Sequence, residues 1–213
     1  TYDNAAPTVA ITSTAANTTA VSPVPVTFTF NETVTGFVVG DITVANGTAG
    51  NFVAVSGTVY TASITPTTNG IVSVSVAAGV AQDVAGNNNL VSNTLTRTFD
   101  NTRPTVVVST TATSSTSVTP IPVTFTFSET VTGFIVTDIT VTNGTVGNFV
   151  AVSGTVYTAS VTPTAVGVVS VSAAAGVALD VATNTNLASN TLTVTYDNTR
   201  PTVIVSTTAP NPT

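Results

Sequence analysis

The chain has 213 residues, nine carboxylates against three arginines for a formal net charge of −6, and no His, Lys, Cys, Met or Trp. Those absences remove disulfide and thiol chemistry, the imidazole and amine general bases, and the cationic surface that a nucleic acid or an anionic membrane requires. Mean hydropathy is positive, yet no apolar run is long enough for a membrane-spanning helix, so the chain is expected to fold on a β-rich core of Val and Phe.

In chain order, Thr8 to Thr12 alternates apolar and polar residues, the period-two mark of a half-buried strand. A polar stretch from Ser13 to Thr19 leads to the strongest predicted strand, Val24-Pro25-Val26-Thr27-Phe28-Thr29-Phe30, with Val24, Val26, Phe28 and Phe30 on one face. Pro25 cannot donate to a ladder and belongs at a strand start or an edge. Val34 to Val39 and Asp41 to Val44 follow as β-rich runs ending at Asn46-Gly47. That dipeptide predicts a type I′ hairpin turn, because both central residues tolerate positive φ. Phe52 to Val55, Val59 to Ile64, Ile71 to Val76 and Val91 to Phe99 complete the predicted strands, with a loop from Pro66 to Gly70. Arg97 shares a face with Leu95 and Phe99, and is expected to carry its charge out to water along an apolar stem.

The same series then recurs. Phe99-Asp100-Asn101-Thr102-Arg103-Pro104-Thr105-Val106 has counterparts 97 residues away on either side, beginning at Tyr2 and at Tyr196, and the segments between them align without a gap at about 70% identity. A fixed period of this size means tandem domains. The boundaries read as the end of a preceding repeat at 1–4, Ig-like repeat 1 at 5–101, Ig-like repeat 2 at 102–198, and the start of a third at 199–213. Seven to eight short strands per repeat, with turn signals between them and no helical periodicity, predict an all-β fold: antiparallel immunoglobulin-like sandwiches arranged end to end. With no Cys or Trp, the pin between the two sheets must be aliphatic and Phe packing.

Each repeat carries its acids in register: Glu32, Asp41, Asp83 and Asp100, then Glu129, Asp138, Asp180 and Asp197. Asp83 lies in Gln82-Asp83-Val84-Ala85-Gly86-Asn87-Asn88-Asn89, a loop dense in oxygen side chains. Hard cations such as Ca²⁺ take six to eight such oxygens, and a loop and a linker meeting at one pole could supply them. Asp and Asn also dominate turns because they satisfy local backbone groups, and both readings stand. Thr183 replaces Gly86 in the second copy, which leaves that loop's geometry open. Asp41 and Asp138 directly precede strands and read as turn residues. Paired carboxylates can hydrolyse glycosides, but the chain has too few aromatic residues for a sugar cleft and is not expected to be an enzyme. Outward Thr rows could bind glycan or ice, although exposed Thr is an ordinary strand residue.

Val-Thr-Phe-Thr-Phe-(Asn/Ser)-Glu-Thr-Val-Thr-Gly-Phe, Asp-Ile-Thr-Val-x-Asn-Gly-Thr, Gly-Val-Ala-x-Asp-Val-Ala and the closing Asp-Asn-Thr-Arg-Pro together resemble the bacterial Ig-like repeats of giant cell-surface adhesins. The Thr, Asn and Val richness without Lys is similar to such proteins of Bacteroidota, including gliding adhesins. The resemblance implies a structural stalk or spacer, extracellular at the cell surface, that projects a distal binding domain and is often stiffened by calcium. The matching metal positions would be Asp83, Asp100, Asn101 and Glu32, then Asp180, Asp197, Asn198 and Glu129. The implied partners are neighbouring repeats of the same chain, and other cell-surface proteins or glycans. The alternatives are a binding module with Thr-rich surfaces or loops, and a laterally packed component of a surface filament or motility complex.

Overall fold

The computed structural model describes residues 2–208; of the outermost expected segments, Thr1 and residues 209–213 lie outside them. Contacts divide the chain into two compact units, one taking residues up to Arg103 together with Leu179–Thr185, the other Pro104–Ala178 together with the residues from Asn186. The first unit contains eight strands: β1 (Val9–Thr12), β2 (Thr18–Thr19), β3 (Val24–Phe30), β4 (Ile42–Ala45), β5 (Gly47–Ala54), β6 (Val59–Pro66), β7 (Gly70–Val76) and β8 (Leu95–Phe99). They form two four-stranded sheets, β1-β3-β6-β5 and β2-β8-β7-β4. All neighbours are antiparallel except β2, which runs parallel to β8. The immunoglobulin-like sandwich predicted from the alternation is the fold observed.

The second unit repeats the plan with β9 (Val106–Ser109), β10 (Ser115–Thr116), β11 (Ile121–Phe127), β12 (Ile139–Thr142), β13 (Gly144–Ala151), β14 (Val156–Pro163), β15 (Gly167–Ala173) and β16 (Leu192–Tyr196). Its sheets are β13-β14-β11-β9 and β10-β16-β15-β12. Phe28 and its copy Phe125 are fully buried.

The alternation in β3 works as expected. Val24, Val26, Phe28 and Phe30 are buried, while Pro25 and Thr29 are exposed. The residues between β3 and β4, where the chain crosses from one sheet to the other, depart from the expected strand: Val34 to Val39 forms no strand and closes in a single 3₁₀ turn, Val39–Asp41. Asp41 accepts from the Val38 N–H at 2.8 Å to hold that turn, as Asp138 does for Ile135.

The crossing segment buries Phe37 against four rings at once: Phe28, Phe30, Phe52 and Tyr60, with centroids 5.2–5.5 Å apart and steep interplanar angles. Such edge-to-face contacts place the positive rim of one ring on the negative face of another. The Tyr60 hydroxyl donates to the Val34 carbonyl at 3.1 Å, so its polar end is satisfied inside the core. Phe134 occupies the same hub in the second unit.

Asn46-Gly47 is not a hairpin turn. Asn46 has φ +58°, but Gly47 stays out of the left-handed region and opens β5, while β4 and β5 belong to different sheets. The dipeptide makes a corner between sheets. Asn46 is tied down by its side chain, which accepts from the Thr68 N–H at 3.1 Å and donates to the Thr68 carbonyl at 2.9 Å. Gly47 is required because a Cβ there would stand 2.9 Å from the Thr65 carbonyl oxygen. Arg97 is a second correction: its guanidinium is half-buried and donates to the carbonyls of Ala15, Thr96 and Ser13 instead of extending to water. Val194, its counterpart, is simply buried.

Phe28→Ala is expected to cost the first unit about 3–5 kcal/mol, lowering its melting midpoint by at least about 10 °C. Calorimetry should show one transition displaced and a second, that of the unit holding Phe125, retained.

Candidate functional site

A cluster of polar side chains in the first unit lies at the pole where residues 2–8 enter the sandwich. The connection from β7 to β8 folds back through Gln82, whose backbone bridges to Thr35 and to Asn88. Asp83 anchors the tip of this loop. Its Oδ1 accepts from the Asn87 N–H and its Oδ2 from Asn87 Nδ2, both at 2.8 Å. Asp83 is only 5% exposed, and its carboxyl is held below the usual range chiefly by the Asn87 side chain, with backbone N–H groups of Asn87, Ala85 and Gly86 adding to the effect and desolvation opposing it. Gly86 stands at φ +88°, where the loop needs a left-handed residue.

Asp3 and Glu32 bring carboxylate oxygens to Asp83, and the three groups offer atoms all within 4.8 Å of one another. The expected partners Asp100 and Asn101 are not there. Asp100 accepts from Asn69 Nδ2 and from the Thr102 N–H, both at 2.9 Å, and the Asn101 N–H donates to Asn69 Oδ1. Asn69 precedes β7 and the Asp83 loop follows it, so the length of that strand separates the two groups. The physical reason is topological. The chain enters the sandwich at one pole and leaves at the other, so the junction acid that meets Asp83 is the earlier one, Asp3.

The segment 179–185, grouped with the first unit, reproduces the loop. Asp180 accepts twice from Asn184, at 2.8 Å each, and Asn184 Nδ2 also donates to the Asp100 carbonyl at 2.9 Å, as Asn87 Nδ2 does to Asp3 at 3.3 Å. Thr183 adopts φ +73° in the place of Gly86, so the loop geometry survives the loss of glycine, with a β-branched residue in a region it rarely enters. Glu129, the counterpart of Glu32, is half-buried just after β11 in the second unit. Asp197 accepts from the Thr199 N–H at 2.8 Å. That bond, with the Thr199 side chain, lowers its carboxyl below the usual range. Asn198 is exposed.

Asn89 and Asn186 emerge only from the structure. Asn89 is 1% exposed. Its Oδ1 accepts from the N–H groups of Val80 and Ala81, and its Nδ2 donates to the carbonyls of Ala77 and Leu90, at 2.8–2.9 Å. Both donor hydrogens and both acceptor lone pairs of the amide are therefore used. Asn186 does the same in the second copy. In sequence Asn89 is one of three consecutive asparagines, and only its place at the end of the Asp83 loop could have set it apart.

The arrangement has hard oxygen donors, buried amides and turn-forming bonds. Two consecutive segments, residues 3–99 and 100–196, match the family described as Bacterial Ig-like domain. The chain belongs to that family. Its two bacterial Ig-like domains are tandem copies that together take up nearly the whole sequence. Among solved structures, the chain is similar to InvD of Yersinia pseudotuberculosis, at 20% identity over 93% of this chain and 61% of that one, with a TM-score of 0.37. It is similar to invasin, a bacterial integrin-binding protein, at 15% identity over 89% and 40%, with a TM-score of 0.43. It is also similar to the Yersinia pseudotuberculosis adhesin InvE, at 18% identity over 90% and 58%, with a TM-score of 0.30. The chain thus spans less than two thirds of each of these structures. No curated protein matches it significantly. Among the described residues no helix is long and apolar enough to cross a membrane, which says nothing of β-barrels.

Asn89→Ala is expected to destabilise the first bacterial Ig-like domain by at least about 3 kcal/mol, because it strands buried donors and acceptors that each cost about 1–3 kcal/mol. Asn88→Ala, at an exposed neighbour, should cost less than about 1 kcal/mol. Urea denaturation of the two variants checks both values.

Proposed function

We propose that the chain is a non-catalytic stalk segment of a large, repetitive adhesin, held outside the cell at its surface and carrying a distal binding domain away from it. The observation that supports this most directly is the duplication itself: two bacterial Ig-like domains with the same strand register, the same ring cluster and the same polar loop, each with a core of its own. Force applied along such a chain meets one folded unit after another. The buried acids fit a structural role better than a catalytic one, since Asp83 and Asp180 each accept two hydrogen bonds from an asparagine of their own loop. The partners on this reading are neighbouring repeats, with recognition of glycans or other surface proteins left to the distal domain. The Thr-, Asn- and Val-rich composition without Lys supports placing the adhesin in Bacteroidota, with gliding motility as one setting.

Calcium belongs to the same proposal. Asp3, Glu32 and Asp83 fit a hard cation, because all three are oxygen donors and offer carboxylate atoms within 4.8 Å of one another. These residues would hold the ion, which would supply charge neutralisation where residues 2–8 meet the loop.

Single-molecule pulling on the chain should give two unfolding events of similar force, each releasing about 97 residues, or roughly 320–350 Å of contour. Extension without discrete events would remove the stalk reading, and binding of the chain to a glycan array would favour the recognition alternative.

Calcium at one hundred times its dissociation constant should add about 2.7 kcal/mol to a bound domain, raising its melting midpoint by about 10–20 °C. Glu32→Gln should shrink that rise. Equal midpoints in calcium and in chelator would remove the ion and leave the stalk reading standing.

A further inference from the structure

The fold uses only part of Arg97. A guanidinium has five N–H donors, one on Nε and two on each terminal nitrogen. Nε donates to the Ala15 carbonyl at 3.0 Å, Nη1 to the Thr96 carbonyl at 2.8 Å and Nη2 to the Ser13 carbonyl at 3.2 Å. One N–H therefore remains on each terminal nitrogen without a partner among the described residues, and a carboxylate takes such a pair in bidentate fashion. The sandwich itself does not require an arginine at this place. In the second unit the same register position holds Val194, buried and opposite Val169, as Arg97 lies opposite Val72.

Arg97 lines a cavity of about 490 Å³, together with Asn17, Ile71, Asn93, Thr94 and Thr98. No acidic residue borders it, although the chain as a whole carries a net charge of −6. The cavity borders an open strand edge. β2 covers β8 only at Thr98 and Phe99, so Leu95 to Arg97 have no strand on that side, and the guanidinium reaches across the gap to the loop of Ser13 and Ala15. Hydroxyls and amides make up most of the lining, with the exposed Ile71 as its apolar contact. No aromatic ring is among them for a sugar to lie against. An extended peptide suits such a place, because its main chain bonds to polar groups beside a sheet edge while one side chain enters a pocket.

We propose that this cavity binds an extended acidic segment of a partner protein, with one Glu or Asp carboxylate of that segment on the Nη1 and Nη2 pair of Arg97. Asn17, Asn93 and the threonines bond to the main chain on either side of that carboxylate, and Ile71 packs against a neighbouring side chain. The partner is a different protein and not a second copy. Each of the seven Asp residues of this chain already accepts from a backbone N–H within four residues of itself. The site occurs once, since the second unit has Ser114 in place of Asn17 and Val194 in place of Arg97. It is a lateral contact on one domain, apart from any distal one, and does not depend on the stalk reading.

The test is an NMR titration of the whole chain, labelled with ¹⁵N, at constant ionic strength. The probe is the peptide acetyl-Thr-Glu-Thr-amide, compared with the same peptide carrying Gln for Glu, with acetate and with glucuronate. The Glu peptide should give saturable shifts of the amides of Ile71 and of residues 93–98, and leave Val168 and residues 190–195 of the second copy unmoved. Replacing Glu by Gln should weaken binding by at least about tenfold, the loss expected for a charge-assisted hydrogen-bonded pair. Arg97→Val should abolish the response while keeping a folded spectrum, as the valine of the second copy allows, and Arg97→Lys should retain only a weakened one. No response to the Glu peptide overturns the proposal, as does an equal response to the Gln peptide, in both units or in Arg97→Val. Acetate acting at the same concentration reduces the site to a plain anion contact, and glucuronate binding more tightly than the peptide makes it a sugar site; either result overturns the assignment to a peptide.

Discussion

One phenylalanine in the segment that crosses between the sheets organises the aromatic core of each sandwich. Phe37 lies on no strand, yet its ring touches aromatic residues of β3, β5 and β6 as the chain crosses between the sheets. Aromatic pairs of this geometry contribute about 0.5–1.5 kcal/mol each beyond the area they bury. A hub with four partners therefore adds to what burial alone supplies, in a chain with no cysteine. The hub also explains why the crossing segment gives up strand structure. A strand from Val34 to Val39 would place alternate residues on opposite faces, whereas the observed path drops Val34 and Phe37 into the core and leaves Val38 and Val39 exposed.

The polar pole follows from the packing of the two sheets. Once the two sheets face each other, the long connection from β7 to β8 must return across the end of the sandwich, and its backbone groups need partners away from water. Asn89 supplies four of them and Asp83 organises the tip. The third acid, Asp3, arrives from the entering chain, so the loop that finishes the fold also touches the segment leading into it. Local stability and the setting of the junction thus rest on the same few side chains.

Much of this was legible from residue order. The β3 alternation named the buried face correctly because a strand's period of two is local and needs no tertiary information. The acids Glu32 and Asp83 were marked by recurring in register. Other elements were misread for identifiable reasons. Asn46-Gly47 looks like a hairpin because the dipeptide favours positive φ, but a corner between sheets uses the same local property with one residue instead of two. The two-residue strand β2 is too short to show any period and exists only because β8 lies beside it. Arg97 broke the apolar pattern of its strand, and nothing in its neighbours revealed that carbonyls at Ser13 and Ala15 would be waiting.

Residue order by itself determined that the protein is a tandem β array without Cys, His or Lys, because period, alternation and composition are properties of the chain before it folds. Only the tertiary structure decided which acid meets Asp83, which of three adjacent asparagines is buried, and that Phe37 gathers four rings of one sheet. Each of these depends on residues distant in sequence arriving at one pole or one core. Proximity of that kind is set by the path of the chain through both sheets.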